Sequence, residues 1–118
     1  MRDRLAEVLP NLRAALEELK HAMEAYRGKL LKEACFRLWK ASLEIEYTLF
    51  RLSLSLGENF KVEDHFGRKV NPLKAMKAAG VELERAVEAL EKGGLGEAYQ
   101  TLWRVRELLI ALQEALNV

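Results

Sequence analysis

Residues 18–39 read ELKHAMEAYRGKLLKEACFRLW and residues 82–103 read ELERAVEALEKGGLGEAYQTLW, and at this offset of sixty-four, without a gap, ten of the twenty-two positions coincide. Glu18-Leu19, Ala22, Glu24-Ala25, Leu31, Glu33-Ala34 and Leu38-Trp39 meet Glu82-Leu83, Ala86, Glu88-Ala89, Leu95, Glu97-Ala98 and Leu102-Trp103. Two unrelated helices rich in Ala, Glu and Leu agree at about two such positions through composition alone, so the chain reads as a duplicated unit. Each copy is broken near its middle, at Arg27-Gly28 or at Lys92-Gly93-Gly94. On both sides of the break apolar residues recur at spacings of three and four, the signature of a helix, a turn and a helix. One such hairpin cannot bury its apolar face alone. The expected architecture is therefore all-α, a four-helix bundle built from two repeated antiparallel helical hairpins with an approximate internal twofold.

Extending outward from the repeat, the first stripe is Leu5, Leu9, Leu12, Leu16, Leu19, Met23 and Tyr26. Asp3 is placed to cap it, while Pro10, which has no amide hydrogen, predicts a helix that starts there or bends. The second stripe runs through Leu31, Ala34, Leu38, Ala41, Ile45, Thr48 and Leu52 to a terminal Gly57 and reads as the longest helix. Asn71-Pro72 supplies a cap and a first-turn proline for the third, which carries Leu73, Met76, Gly80, Leu83, Val87 and Leu90. The fourth follows Gly94 with Leu95, Ala98, Leu102, Val105, Leu109, Leu112 and Leu116. Hairpin one then covers about 3–56 and hairpin two 71–118, within a single domain spanning 1–118 and joined by a connection over 57–70.

The remaining composition excludes more than it assigns. The 118 residues are half hydrophobic and 31% charged, which is globular and not disordered. Nineteen Lys and Arg against eighteen Asp and Glu leave a formal charge of +1, so bulk charge favours neither nucleic acid nor an anionic membrane. One cysteine, Cys35, precludes an internal disulfide, and the charged start lacks the apolar run of a signal peptide; with no membrane-length apolar stretch, a cytoplasmic location is expected. Few Asn, Gln and Cys among many Glu, Lys and Arg fit a thermophile.

Few residues carry a chemical signal. Phe36, Trp39, Leu43, Tyr47, Phe50 and Leu54 lie beside the second stripe and widen it beyond what a bundle core needs, which predicts a protein interface, in the simplest case a homodimer, with Phe36, Trp39, Leu43, Tyr47 and Phe50 as anchors. The alternative cover is the 57–70 connection, through Phe60, Val62 and Phe66. Arg68, Lys69, Lys74 and Lys77 form a basic cluster without interspersed acids at the start of the third helix, where the dipole disfavours cations; bound phosphate or an RNA backbone would turn that placement to advantage. Arg37 and Lys40 beside Trp39, and Arg104 and Arg106 beside Trp103, offer stacking with charge, although an Arg lying across the indole of a bundle tryptophan is the commoner arrangement. Glu63-Asp64-His65 holds the only His beside carboxylates, with no second imidazole at a helical spacing, and His21 reads as a surface residue. No phosphate loop, nucleophile elbow or paired catalytic carboxylates occur, so no catalytic residues, no metal and no cofactor are expected.

The stretch from Gly28 to Glu44, with Glu33-Ala34-Cys35-Phe36 followed by Arg37-Leu38-Trp39-Lys40-Ala41, resembles the second helix of HEPN-type bundles and is similar to small archaeal helical families. That resemblance implies a four-helix bundle that dimerises and either partners a small nucleotidyltransferase or cleaves RNA. The cleaving members carry an Arg followed four to six residues later by His; here Arg13 and His21 lie further apart and His65 has no Arg close before it. What the resemblance implies is thus the scaffold role. A non-enzymatic interaction protein is the expectation, with a nucleotide- or RNA-binding module as the alternative.

Overall fold

The computed structural model describes residues 2–57 and 71–116, with side-chain surroundings given from Glu7 onward. Four helices make up the described part: α1 (Arg2–Arg27), α2 (Leu31–Leu56), α3 (Pro72–Glu91) and α4 (Leu95–Leu116). They share one core, in which Leu12, Leu38, Ile45, Met76, Leu83, Leu102 and Leu109 are fully buried. Each element starts or stops for a local reason. Asn71 Oδ1 accepts the Lys74 amide hydrogen at 3.2 Å, and Pro72 fills the first helical position, where its missing N–H costs nothing. Gly57 closes α2 with a φ of 81°, its own amide bonded to the Ser53 carbonyl.

The start of α1 differs from the sequence expectation, while its end at Arg27 agrees with it. The helix neither starts nor stops at Pro10 but runs through it from Arg2, which also places Asp3 inside the helix and not at its cap. Pro10 is exposed, on the solvent side of the helix, where a missing amide hydrogen is tolerated best. With 26 residues each, α1 and α2 are equally long.

The duplication is visible in the packing. At the same offset of sixty-four, Ala15 and Ala79, Leu19 and Leu83, Ala22 and Ala86, Ala34 and Ala98, Leu38 and Leu102, and Ile45 and Leu109 are all buried pair by pair. The turns agree bond for bond. Leu30 N–H donates to Ala25 O at 2.8 Å and Lys29 N–H to Tyr26 O at 3.0 Å; Gly94 N–H donates to Ala89 O at 2.7 Å and Gly93 N–H to Leu90 O at 3.1 Å. This pair of bonds is a Schellman turn, whose residue after the helix takes a left-handed conformation. Gly93 does so at φ 82°, but its counterpart is Lys29, at φ 62°, and not the neighbouring Gly28. A side chain at such a φ is strained by about 1 kcal/mol. Lys29→Gly is accordingly expected to stabilise the fold by about 0.5–1 kcal/mol and Gly93→Lys to destabilise it by a similar amount. Urea titration of both variants checks the pair; equal signs would refute the equivalence of the turns.

Polar ties fix the directions. Glu7 meets Arg51, Asn11 meets Glu44 at 2.7 Å and Glu18 meets Arg37 at 3.2 Å, so α1 and α2 are antiparallel. Ser42 meets Gln113 at 2.8 Å and Glu46 meets Arg106, so α2 and α4 are antiparallel as well. Among the described residues α1 touches α2 and α3, α4 touches α3 and α2, and neither diagonal pair is in contact. An axis perpendicular to the helices carries one hairpin onto the other. It follows that α2 and α3 point the same way, and that Gly57 and Asn71 stand at opposite ends of the bundle. A connection that spans the bundle length needs those ends; its own course over 58–70, including Phe60, Val62 and Phe66, lies outside the described residues.

Candidate protein-interaction surface

A helix at the corner of a square bundle buries the side that faces its two neighbours and leaves the opposite side to solvent. On α2 the buried side is Ala34, Leu38, Ala41, Ile45, Thr48, Leu49 and Leu52. Phe36, Trp39, Leu43, Tyr47, Phe50 and Leu54 fall on the other side, each between 47 and 62% exposed. The rings of Phe36 and Trp39 lie 6.1 Å apart, and the Lys40 ammonium sits 5.4 Å from the Phe36 ring centre. Six large apolar side chains thus form a strip along the full helix.

Its borders are polar and internally satisfied. Toward α1, Arg37 and Lys40 both reach the Glu18 carboxylate, at 3.2 and 3.7 Å, while Arg51 reaches Glu7 and Glu44 accepts from Asn11. Hydrogen bonds to Glu33 and to Glu18 hold the Arg37 guanidinium above the ordinary arginine value. Toward α4, Glu46 pairs with Arg106 and Ser42 with Gln113. The repeat preserves part of this scheme: Arg104 reaches Glu82 at 3.4 Å, the counterpart of Lys40 on Glu18.

The duplication also supplies an internal control. α4 occupies the position equivalent to α2, yet opposite Phe36, Leu43, Tyr47 and Phe50 it carries Gln100, Glu107, Ala111 and Glu114. The same place in the bundle is therefore compatible with a polar face, and the apolar one on α2 is not demanded by the fold. Only the tryptophans coincide, and they differ in setting. Trp39 is half exposed, whereas Trp103 is largely covered, stacks on Tyr99 at 6.2 Å and lies under the Arg106 guanidinium at 5.0 Å. Arg106 across Trp103 is the structural arrangement of such a pair, the guanidinium occupying a place against the ring.

Comparison with family models, curated proteins and solved structures finds no match to this chain.

Of the other residues singled out by sequence, those that are described lie apart from the strip. Lys74 and Lys77 are exposed on α3, while Arg68 and Lys69 lie outside the described residues. At that helix start Pro72 has no amide hydrogen and Asn71 already holds the one of Lys74, so an anion would meet fewer free donors than at a bare N-terminus. His21 is exposed, with Nδ1 3.9 Å from Glu24 Oε2, and Cys35 is a half-buried free thiol. Glu63, Asp64 and His65 fall outside the described residues, among which no group of three metal-ligating side chains occurs. No described helix is long and apolar enough to cross a membrane.

Two features escaped the sequence reading. A groove of about 200 Å³ between α2 and α4 is walled by Leu49, Phe50, Tyr99 and Trp103 with the Glu46–Arg106 pair, and it shares Phe50 with the strip. It is below the size of a small-molecule pocket. Ile110, between the two α4 residues that reach α2, is 39% exposed and widens the strip onto α4. The signal for Ile110 was its four-residue spacing from Arg106, which only the α2–α4 pairing makes meaningful.

Proposed function

We propose that this protein is a non-enzymatic helical-bundle interaction module whose docking surface is the outer face of α2, with Phe36, Trp39, Leu43, Tyr47 and Phe50 as anchors. The observation that supports it is the contrast between equivalent helices: where α2 exposes Phe36, Leu43 and Phe50, α4 carries Gln100, Glu107 and Glu114. An apolar strip of this length on a bundle corner lowers solubility unless something covers it, and aromatic side chains are the residues that dominate protein interfaces. The HEPN-type resemblance of residues 28–44 covers the first half of this helix, and what it implies is a scaffold or partner role.

The test replaces Phe36, Leu43 and Phe50 together by the residues α4 carries at the equivalent places, Phe36→Gln, Leu43→Glu and Phe50→Glu. On a docking surface these changes remove only partial intrachain packing, such as the Phe36–Trp39 ring contact, so the unfolding midpoint extrapolated to low protein concentration is expected to stay within a few degrees of the wild type, roughly what surface substitutions cause. A strip covered by the chain's own residues would lose about 1.5–3 kcal/mol per side chain. That loss would be independent of protein concentration, and a midpoint drop on the order of 10 °C or more in this form would overturn the docking reading.

A further inference from the structure

We infer that the strip's occupant is a second copy of this chain, packed α2 against α2 in antiparallel orientation about a twofold axis near Leu43 and Tyr47; this rests on the docking reading above. Three observations converge on it. The first is area. Six large side chains at about half exposure present roughly 700 Å² on one protomer, close to the roughly 800 Å² per partner of a stable interface. The second is charge. The charged groups that flank the strip toward α1 and α4 are already tied within the chain, Arg37 and Lys40 to Glu18, Arg51 to Glu7, Glu46 to Arg106, and only Lys32 at its start stands untied among the described residues. The strip thus selects no oppositely charged partner, and at a net charge of +1 two copies hardly repel.

The third is register. Phe36, Leu43 and Phe50 are seven residues apart, and so are Lys40, Tyr47 and Leu54, each four residues further on, which makes the two interleaved rows of a helix–helix seam. In a parallel pair Lys40 would face Lys40 of the second copy. In an antiparallel pair centred between Leu43 and Tyr47, Lys40 instead faces the ring of the second copy's Phe50, Phe36 faces Leu54, and Leu43 faces Tyr47. Lys40 already lies against an aromatic ring within its own chain, and a second ring suits the ammonium where a second ammonium does not. The axis maps the strip onto itself, as an isologous twofold dimer requires.

Light scattering coupled to size exclusion on the full chain, over about a tenfold concentration range and at roughly 0.05 and 0.5 M salt, is expected to give twice the chain mass with little salt dependence. The Phe36→Gln, Leu43→Glu, Phe50→Glu variant should weaken the dimer by at least about 100-fold. Spin labels on Lys32→Cys in a Cys35→Ser background should lie about 40 Å apart across an antiparallel seam, from the helical rise alone. A one-chain mass for the wild type, or a dimer that survives the triple variant, overturns the second copy as occupant. A label separation below about 20 Å overturns the antiparallel seam. A monomeric wild type whose triple variant keeps its concentration-independent stability leaves the α2 face to a different protein, so failure here and failure of the docking reading are told apart.

Discussion

Leu38→Ala and Leu102→Ala are each expected to lower the unfolding free energy by about 3 kcal/mol, and by amounts that agree within about 1 kcal/mol. Both side chains are fully buried, one on α2 and one on α4, at equivalent places in the duplicated unit. Removing three carbons from such a site loses the transfer free energy of the methyl groups and leaves a cavity that a close-packed interior fills only in part, which sets the range at about 2–5 kcal/mol. The neighbours of the two sites are similar: Ala34 and Ala41 flank Leu38 in the core, Ala98 and the somewhat larger Val105 flank Leu102, and all four are buried. Equal cavities in similar surroundings should relax to a similar extent. Against a total stability of about 5–15 kcal/mol each change is large, and urea unfolding at one fixed protein concentration measures it. A cost at Leu102 of under about 1 kcal/mol beside a full cost at Leu38 would show that the hairpins do not contribute equivalent halves of one core.

That equivalence was legible in residues 18–39 and 82–103 before any coordinates, because duplicated helices repeat their apolar spacing and their turn chemistry together. Asn71-Pro72 and Gly93 were legible for the same reason, each being a residue whose backbone chemistry admits few places. The alanines were not. Ala15, Ala22, Ala75, Ala79, Ala86 and Ala89 are buried, yet the first and third stripes, drawn on large apolar residues, ran through Leu16, Met23 and Val87, which are only partly covered. A small side chain carries little hydrophobic signal and still disappears completely when it faces a packed core. Spacing alone also could not decide which helices are neighbours; the ties of Ser42 to Gln113 and of Glu46 to Arg106 did. For the candidate surface the apolar excess of α2 was visible in the sequence. Its force came from carrying the repeat past Trp39, where Leu43 and Phe50 meet Glu107 and Glu114.

The two tryptophans turn this contrast into a measurement. Trp103→Ala is expected to cost about 2–4 kcal/mol, toward the lower end of large-to-small core substitutions because the ring is not fully enclosed, while Trp39→Ala should cost the isolated chain less than about 1 kcal/mol. Trp103 loses its stack on Tyr99 and the guanidinium of Arg106 above it; Trp39 loses a neighbouring Phe36 and a half-exposed surface. The cause lies within the ring and not in its nitrogen: the Trp103 indole N–H is buried and has no acceptor among the described residues. An unsatisfied buried donor destabilises a fold by about 1–3 kcal/mol, so Trp103→Phe, which keeps most of the ring and removes the donor, should restore most of what Trp103→Ala loses. Association should invert the order. Trp39→Ala weakens self-assembly at unchanged fold stability, and Trp103→Phe leaves it intact. If instead Trp39→Ala unfolds the isolated chain as readily as Trp103→Ala does, both tryptophans belong to the bundle interior and the outer face of α2 is not a docking surface.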